Sequence, residues 1–248
     1  MVKKPSQDPK IKFKFAILKI WWLFLPLIFI MDCSNNPYVC QDGDSKDGLK
    51  ECAQRFIVYA REHQDIQNEA FFLRELASID VQDKNFSQAL QRLINAKKIL
   101  AESHQTNLEL YAEILQAIAS SYEHLNNPPQ AEKYYMQAIA QTEKRPRNPG
   151  SLSSVLQSTA EFYDDQQQYA KAEKLLNRAI SLEKEPLIVA LQYRTLCKIY
   201  EHQNKISQAE ACFRNNVNRM ESASNLPRMH QKVAEDLRDF LNRKNNRK

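Results

Sequence analysis

The chain has 248 residues, a net charge of +5 and only 3 glycines. So little glycine argues against a β-rich fold with tight turns and against a glycine-cradled phosphate site. The charge also gives no case for nucleic-acid binding: six lysines between Lys3 and Lys19 face one acid, Asp8, and setting these aside from totals of 35 and 30 leaves 29 of each sign.

The first element, Phe15 to Met31, is apolar apart from Lys19 and follows a basic tail over residues 1–14. Basic flanks stay on the cytoplasmic side, so the chain beyond Met31 is expected to be exported. Ile20 to Met31 is uninterrupted but short, which suits a signal segment; Lys19 snorkelling to the interface would extend it to about 17 residues, the short end of a spanning helix. No small-x-small cleavage pattern lies close behind it, which favours an uncleaved anchor. Residues 15–32 are therefore read as a membrane anchor or signal segment. Ile30-Met31-Asp32-Cys33 shares the branched apolar residue and the cysteine of a bacterial lipoprotein box, with Met31 and Asp32 where small residues belong, and Cys33 is the candidate lipidation site. The five cysteines suit an oxidising compartment: Cys40 lies close to Cys52, Cys197 should face Cys212 across a helical hairpin, and Cys33 is left over. The alternative is that Cys197 and Cys212 are small apolar core residues.

Residues 33–48 are polar, carry Pro37, Gly43 and Gly48, and read as a linker. Leu49, Cys52, Ala53, Phe56, Ile57 and Ala60 then recur at helical spacing, predicting an opening helix over about 49–65. Four helical hairpins come next, with first helices near 69–83, 109–125, 151–165 and 187–203. Their second helices lie near 86–103, 128–144, 168–184 and 206–221. Pro128 and Pro129 suit a first helical turn, and Ser207 with Glu210 has the spacing of a capping box. Met229, Val233, Leu237, Phe240 and Leu241 make the apolar stripe of a closing helix, so the domain of repeats spans 49–227, and 228–248 form a capping helix and basic tail.

One pattern recurs through the hairpins. Ala89, Ala131, Ala172 and Ala209 each stand just after the turn, 42, 41 and 37 positions apart. The second hairpin reads Leu115, Ala119, Tyr122, then Ala131, Tyr135, Ala138; the third reads Leu156, Ala160, Tyr163, then Ala172, Leu176, Ala179. The fourth gives Tyr193, Cys197, Tyr200, then Ala209, Phe213, Asn216, and the first places Asp80 in the aromatic slot. This pattern resembles the tetratricopeptide repeat, in the long form of kinesin-light-chain-like members; Sel1-like repeats, usually richer in glycine, are the nearest rival. The resemblance implies an all-α, right-handed α-solenoid of about four helical hairpins with an opening and a closing helix. It implies a groove lined by the first helices, with Arg74, Gln116, Glu123, Gln157, Glu161, Asp164, Arg194 and Lys198 as candidate partner-binding residues. Glu161, Asp164 and Asp165 make its acidic stretch, while Arg194 and Lys198 are placed to receive an acidic group.

No nucleophile elbow, phosphate loop or zinc-protease motif is present, and His63, His104, His124, His202 and His230 make no metal-ligand spacing. The expectation is a protein that is not an enzyme and takes no cofactor or metal. It is read as a membrane-anchored bacterial scaffold binding a protein or peptide, or alternatively a structural, self-associating part of an envelope or secretion assembly.

Overall fold

A computed structural model describes residues 46–103, 107–144, 149–221 and 226–246. The expected membrane segment, Cys33 and Cys40 lie outside the described residues. Ten helices and no strand occur among the described residues: α1 (Lys46–Glu62), α2 (Ile66–Gln82), α3 (Phe86–Glu102), α4 (Leu108–His124), α5 (Pro128–Glu143), α6 (Pro149–Asp165), α7 (Tyr169–Leu182), α8 (Pro186–His202), α9 (Ile206–Glu221) and α10 (Pro227–Asn245). Among the same residues, no helix is long and apolar enough to cross a membrane.

The helix ends follow local chemistry. The Asp65 carboxylate accepts from the Asn68 N–H at 3.1 Å, and Asn107 and Asn127 cap α4 and α5 in the same way. Proline opens α5, α8 and α10, where its missing N–H costs nothing. Each hairpin turn, and the α1–α2 turn as well, contains one non-glycine residue in the left-handed region: Gln64, Lys84, Asn126, Gln167 and Asn204. The residue after each donates its N–H back to a carbonyl five positions earlier, as Gln168 does to Tyr163 at 2.8 Å, which satisfies orphan carbonyls at the helix end.

Two sequence expectations are corrected. α1 begins at Lys46, inside the stretch read as linker, with Asp47 in its first turn where the helix dipole favours an acid. Ser207 lies within α9 rather than at its cap, and Glu210 turns away from the helix start to Arg214 at 2.8 Å and to Lys244 of α10 at 2.5 Å.

Each helix packs on the next in sequence. The first helices of successive hairpins also pack together, α2 with α4, α4 with α6 and α6 with α8, and α10 continues the row against α8. The second helices stay further apart and meet through long side chains, such as Lys171 of α7 reaching Glu132 of α5. That asymmetry curves the stack, with α2, α4, α6, α8 and α10 lining the inner face. The small residues explain the close approach within hairpins: Ala89, Ala131, Ala172 and Ala209 are fully buried, as are Ala119, Ala160 and Cys197.

The departures from the repeat pattern have their own chemistry. Asp80 is fully buried, with Arg92 Nε of α3 at 2.6 Å and Lys50 Nζ of α1 at 3.3 Å. Lys46 of α1 pairs with Asp83. Asn216 replaces the small residue of the fourth hairpin and donates its amide to the Ala190 carbonyl at 3.0 Å. One hairpin earlier the polar residue sits on the first helix: Ser153 of α6 donates to the Ala179 carbonyl of α7 at 3.0 Å and receives Gln192 Nε2 of α8 at 2.7 Å. These bonds satisfy the Ser153 hydroxyl and the amide nitrogens of Gln192 and Asn216, while the Gln192 and Asn216 side-chain oxygens stay buried without a hydrogen-bond donor. Cys197 and Cys212 are joined by a disulfide that closes the α8–α9 hairpin. Cys52 is disulfide-bonded too.

Candidate functional site

Side chains on the inner face reach from one first helix to the next. Arg74 of α2 lies 2.7 Å from Glu75 and 3.6 Å from Glu113 of α4, with its guanidinium 5.1 Å from the centre of the Phe71 ring. Gln116 Nε2 donates to Ser158 Oγ of α6 at 2.8 Å. Glu161 of α6 accepts from Gln157 at 3.0 Å and from the Thr195 hydroxyl of α8 at 3.3 Å. Asp164 sits 2.9 Å from His202 Nδ1 of α8. Arg194 of α8 pairs with Asp236 of α10, and Glu201 accepts two bonds from Arg243 of α10 at 2.9 and 3.0 Å.

These contacts sort the candidate residues. Arg74 is shared between two acids on the inner face. Arg194 is engaged bidentately by Asp236, so the expected basic pair is reduced to Lys198, which is exposed and has no carboxylate within ion-pairing distance among the described residues. His202 is no bystander of the turn, since it meets Asp164 across the α6–α8 junction. Sequence reasoning misses Asp236 and Arg243 because α10 reads as a plain cap; the charged side of its stripe is the signal that it continues the inner row.

The centre of the face is acidic. Glu123 accepts a hydrogen bond from the Tyr135 hydroxyl at 3.0 Å. Burial raises the Glu123 pKa most; the Tyr135 bond lowers it, and the charges of Asp165 and Glu161 raise it further. Burial likewise raises Glu113 and Glu75, against the opposing pull of Arg74. The Tyr135 phenol is itself pushed well above its ordinary value, by burial first and then by Glu123. Glu123, Glu161 and Asp165 have no cation within ion-pairing distance among the described residues.

A carboxyl with a raised pKa holds its proton more tightly folded than unfolded. Its charge therefore subtracts stability above the folded pKa, and that loss is relieved as pH falls towards the ordinary carboxylate value. Glu123→Gln, which keeps an acceptor for Tyr135, should raise the melting temperature at pH 7, with a gain that shrinks at pH 4. Calorimetry at both values checks it; a lower melting temperature at pH 7 would show that the Tyr135 bond to the carboxylate outweighs the cost of burying its charge. Among the described residues no three potential metal ligands cluster.

Residues 112–144 and 154–186 match the family model of the tetratricopeptide repeat. No curated protein matches the chain. Among solved structures, it is similar to BtubC (BKLC) from P. vanneervenii, with a TM-score of 0.65 at 15% identity, covering 78% of this chain and 86% of that one. It is also similar to the nearly identical TPR-like repeats of a putative kinesin light chain from Podosopora anserina, with a TM-score of 0.54 at 17% identity, over 69% and 94% of the two chains. A third likeness is to aspartyl phosphate phosphatase F from Bacillus subtilis, with a TM-score of 0.58 at 14% identity, over 82% of this chain and 61% of that one. At these identities the likeness is one of fold.

Proposed function

Starting from a chain that carries tetratricopeptide repeats, we propose that it is a membrane-held scaffold whose inner face binds a protein or peptide segment rich in Lys and Arg. The observation that carries the reading is the group of three carboxylates, Glu123, Glu161 and Asp165, on adjacent first helices with no cation in ion-pairing reach among the described residues. Burial first, and then the charges of Asp165 and Glu161, disfavour the Glu123 carboxylate, and a cationic partner seated on it recovers that cost on binding. Residues 15–31 supply the anchor, with the basic tail in the cytoplasm and the repeats exported. The disulfides at Cys52 and between Cys197 and Cys212 favour that oxidising side.

A photo-crosslinking residue placed at 161 and, separately, at 194 tests the face in cells. Position 161 should capture a defined protein through a Lys- or Arg-rich segment, and Asp165→Lys introduced beside it should abolish the adduct. Equal capture with Asp165 reversed, or adducts confined to lipid, would defeat the reading.

A further inference from the structure

The outer side of the array holds a second surface of opposite character. α1 and α3 run parallel, each antiparallel to α2, and form the banks of a cleft of about 570 Å³ whose floor is Leu73 and Leu76 of α2. The lining residues recur at i, i+3, i+4 and i+7 on both banks, from Gln54 to Arg61 and from Gln91 to Lys98, so the cleft is two helical turns long, about 10 Å. Val58 on one bank and Ile94 on the other are 51% and 39% exposed. The charged residues of the lining are Arg61, Arg92 and Lys98, all basic. Arg92 is held by Asp80 and Arg61 by Glu69, while Lys98 meets Glu102 only at 4.0 Å and is the freest of the three.

The corresponding clefts further along are filled or polar. Between α3 and α5, Lys97 reaches the Tyr134 hydroxyl at 3.4 Å and lies 5.1 Å over its ring. Between α5 and α7, Arg178 pairs with Glu143 at 2.7 Å and Lys171 with Glu132 at 3.6 Å. The last, between α7 and α9, has Tyr193, Leu196 and Tyr200 on its floor and Asn177, Asn215, Asn218 and the charged Arg219 on its banks, with no exposed large aliphatic side chain on either bank. Only the first combines exposed aliphatic side chains on both banks with a wholly basic set of lining charges, among the described residues.

We infer that the α1–α3 cleft receives an amphipathic helix of a partner protein, with an aliphatic stripe at i, i+3 or i+4 and i+7 facing Leu73 and Leu76, and Asp or Glu along its edges. An apolar stripe laid between two parallel helices buries Val58 and Ile94, the usual source of affinity in helix-in-groove recognition. Lys98, the least engaged of the three cations, meets the acidic edge and orients it, an electrostatic contribution to specificity that weakens as salt rises. This surface is independent of the inner face and of its basic partner.

The test uses the full chain in phosphatidylcholine nanodiscs, with empty nanodiscs as blank, and two labelled 18-residue helices that share a leucine stripe and differ in glutamate or lysine edges. Fluorescence anisotropy should show the glutamate helix binding at least tenfold tighter than the lysine helix. Val58→Asp with Ile94→Asp should weaken it at least tenfold while leaving the melting temperature unchanged, since both side chains are exposed. Equal binding of the two helices, binding of neither, or unchanged binding by the double variant overturns the inference. So does a dimer in light scattering that the double variant dissolves, which assigns the cleft to a second copy. Tighter binding after deletion of residues 1–45 also overturns it, assigning the cleft to the chain's own amino-terminal segment.

Discussion

Asp80→Ala should destabilise the array by about 3 kcal/mol or more, the cost of removing one partner from a buried ion pair. For a protein of this size that corresponds to a fall in melting temperature of about 6–12 °C. Asp80 has no exposed surface, and its carboxylate holds Arg92 of α3 and Lys50 of α1 together. The later repeats place Tyr122, Tyr163 and Tyr200 in this slot. There the hydroxyl of Tyr163 reaches back to Glu132 on the preceding second helix at 2.7 Å, and Tyr200 bonds Glu173 in the same sense. Lys50 precedes Glu132 by twice the 41-residue spacing that separates Glu132 from Glu173. The first repeat thus keeps the cross-helix bond and inverts its polarity: an acid on the first helix meets a base on the helix before it. Lys50→Met, Asp80→Leu and Arg92→Met combined should fold with a stability within about 1 kcal/mol of the parent, because a buried ion pair replaced as a unit by apolar groups costs little. Chemical denaturation of both variants decides the matter; an Asp80→Ala loss below about 1 kcal/mol would mean that the pair carries no net weight.

Cys197→Ala with Cys212→Ala should lower stability by about 3 kcal/mol, the loop-closure entropy of a cross-link spanning 15 residues. The choice of alanine matters. Ala119 and Ala160 fill the slot of Cys197 in the two preceding hairpins, so the variant keeps the local packing and loses the covalent link. Cys197 has no exposed surface and Cys212 is 8% exposed, so reductant should reach the bond through the Cys212 sulfur, slowly in the folded protein and faster once denaturant opens the hairpin. A melting temperature that is the same in the double variant and the parent would mean the link contributes nothing.

The repeat register made most of the architecture legible from residues alone. A buried alanine after each turn, an aromatic near the end of most first helices and a polar turn between them require two helices packed at close range, and that arrangement is what α2 to α9 show. The same register brings Cys197 opposite Cys212. What it could not convey is chemistry between hairpins. Arg194 and Lys198 look like a matched pair one helical turn apart, yet Asp236 of α10 engages one and leaves the other exposed. The partner lies 42 residues on, in a segment outside the repeat pattern. Glu210 does not cap α9 for a related reason, since Lys244 and Arg214 compete for it more favourably than the α9 N-terminus does. Local spacing describes a helix well; which side chain answers a charge is decided by the neighbour in space.

α10 also bears on assembly. It occupies the place of a fifth first helix and buries Val233 and Phe240, with the Phe213 ring centred 5.1 Å from that of Phe240. Its outward side shows Gln231, Lys232, Arg238 and Asn242 to solvent. An incoming hairpin of another molecule would meet charge and amide there in place of an aliphatic ledge, and would have to desolvate both to continue the stack. The helix turns its apolar stripe inward and, among the described residues, shows charge and amide on its far side.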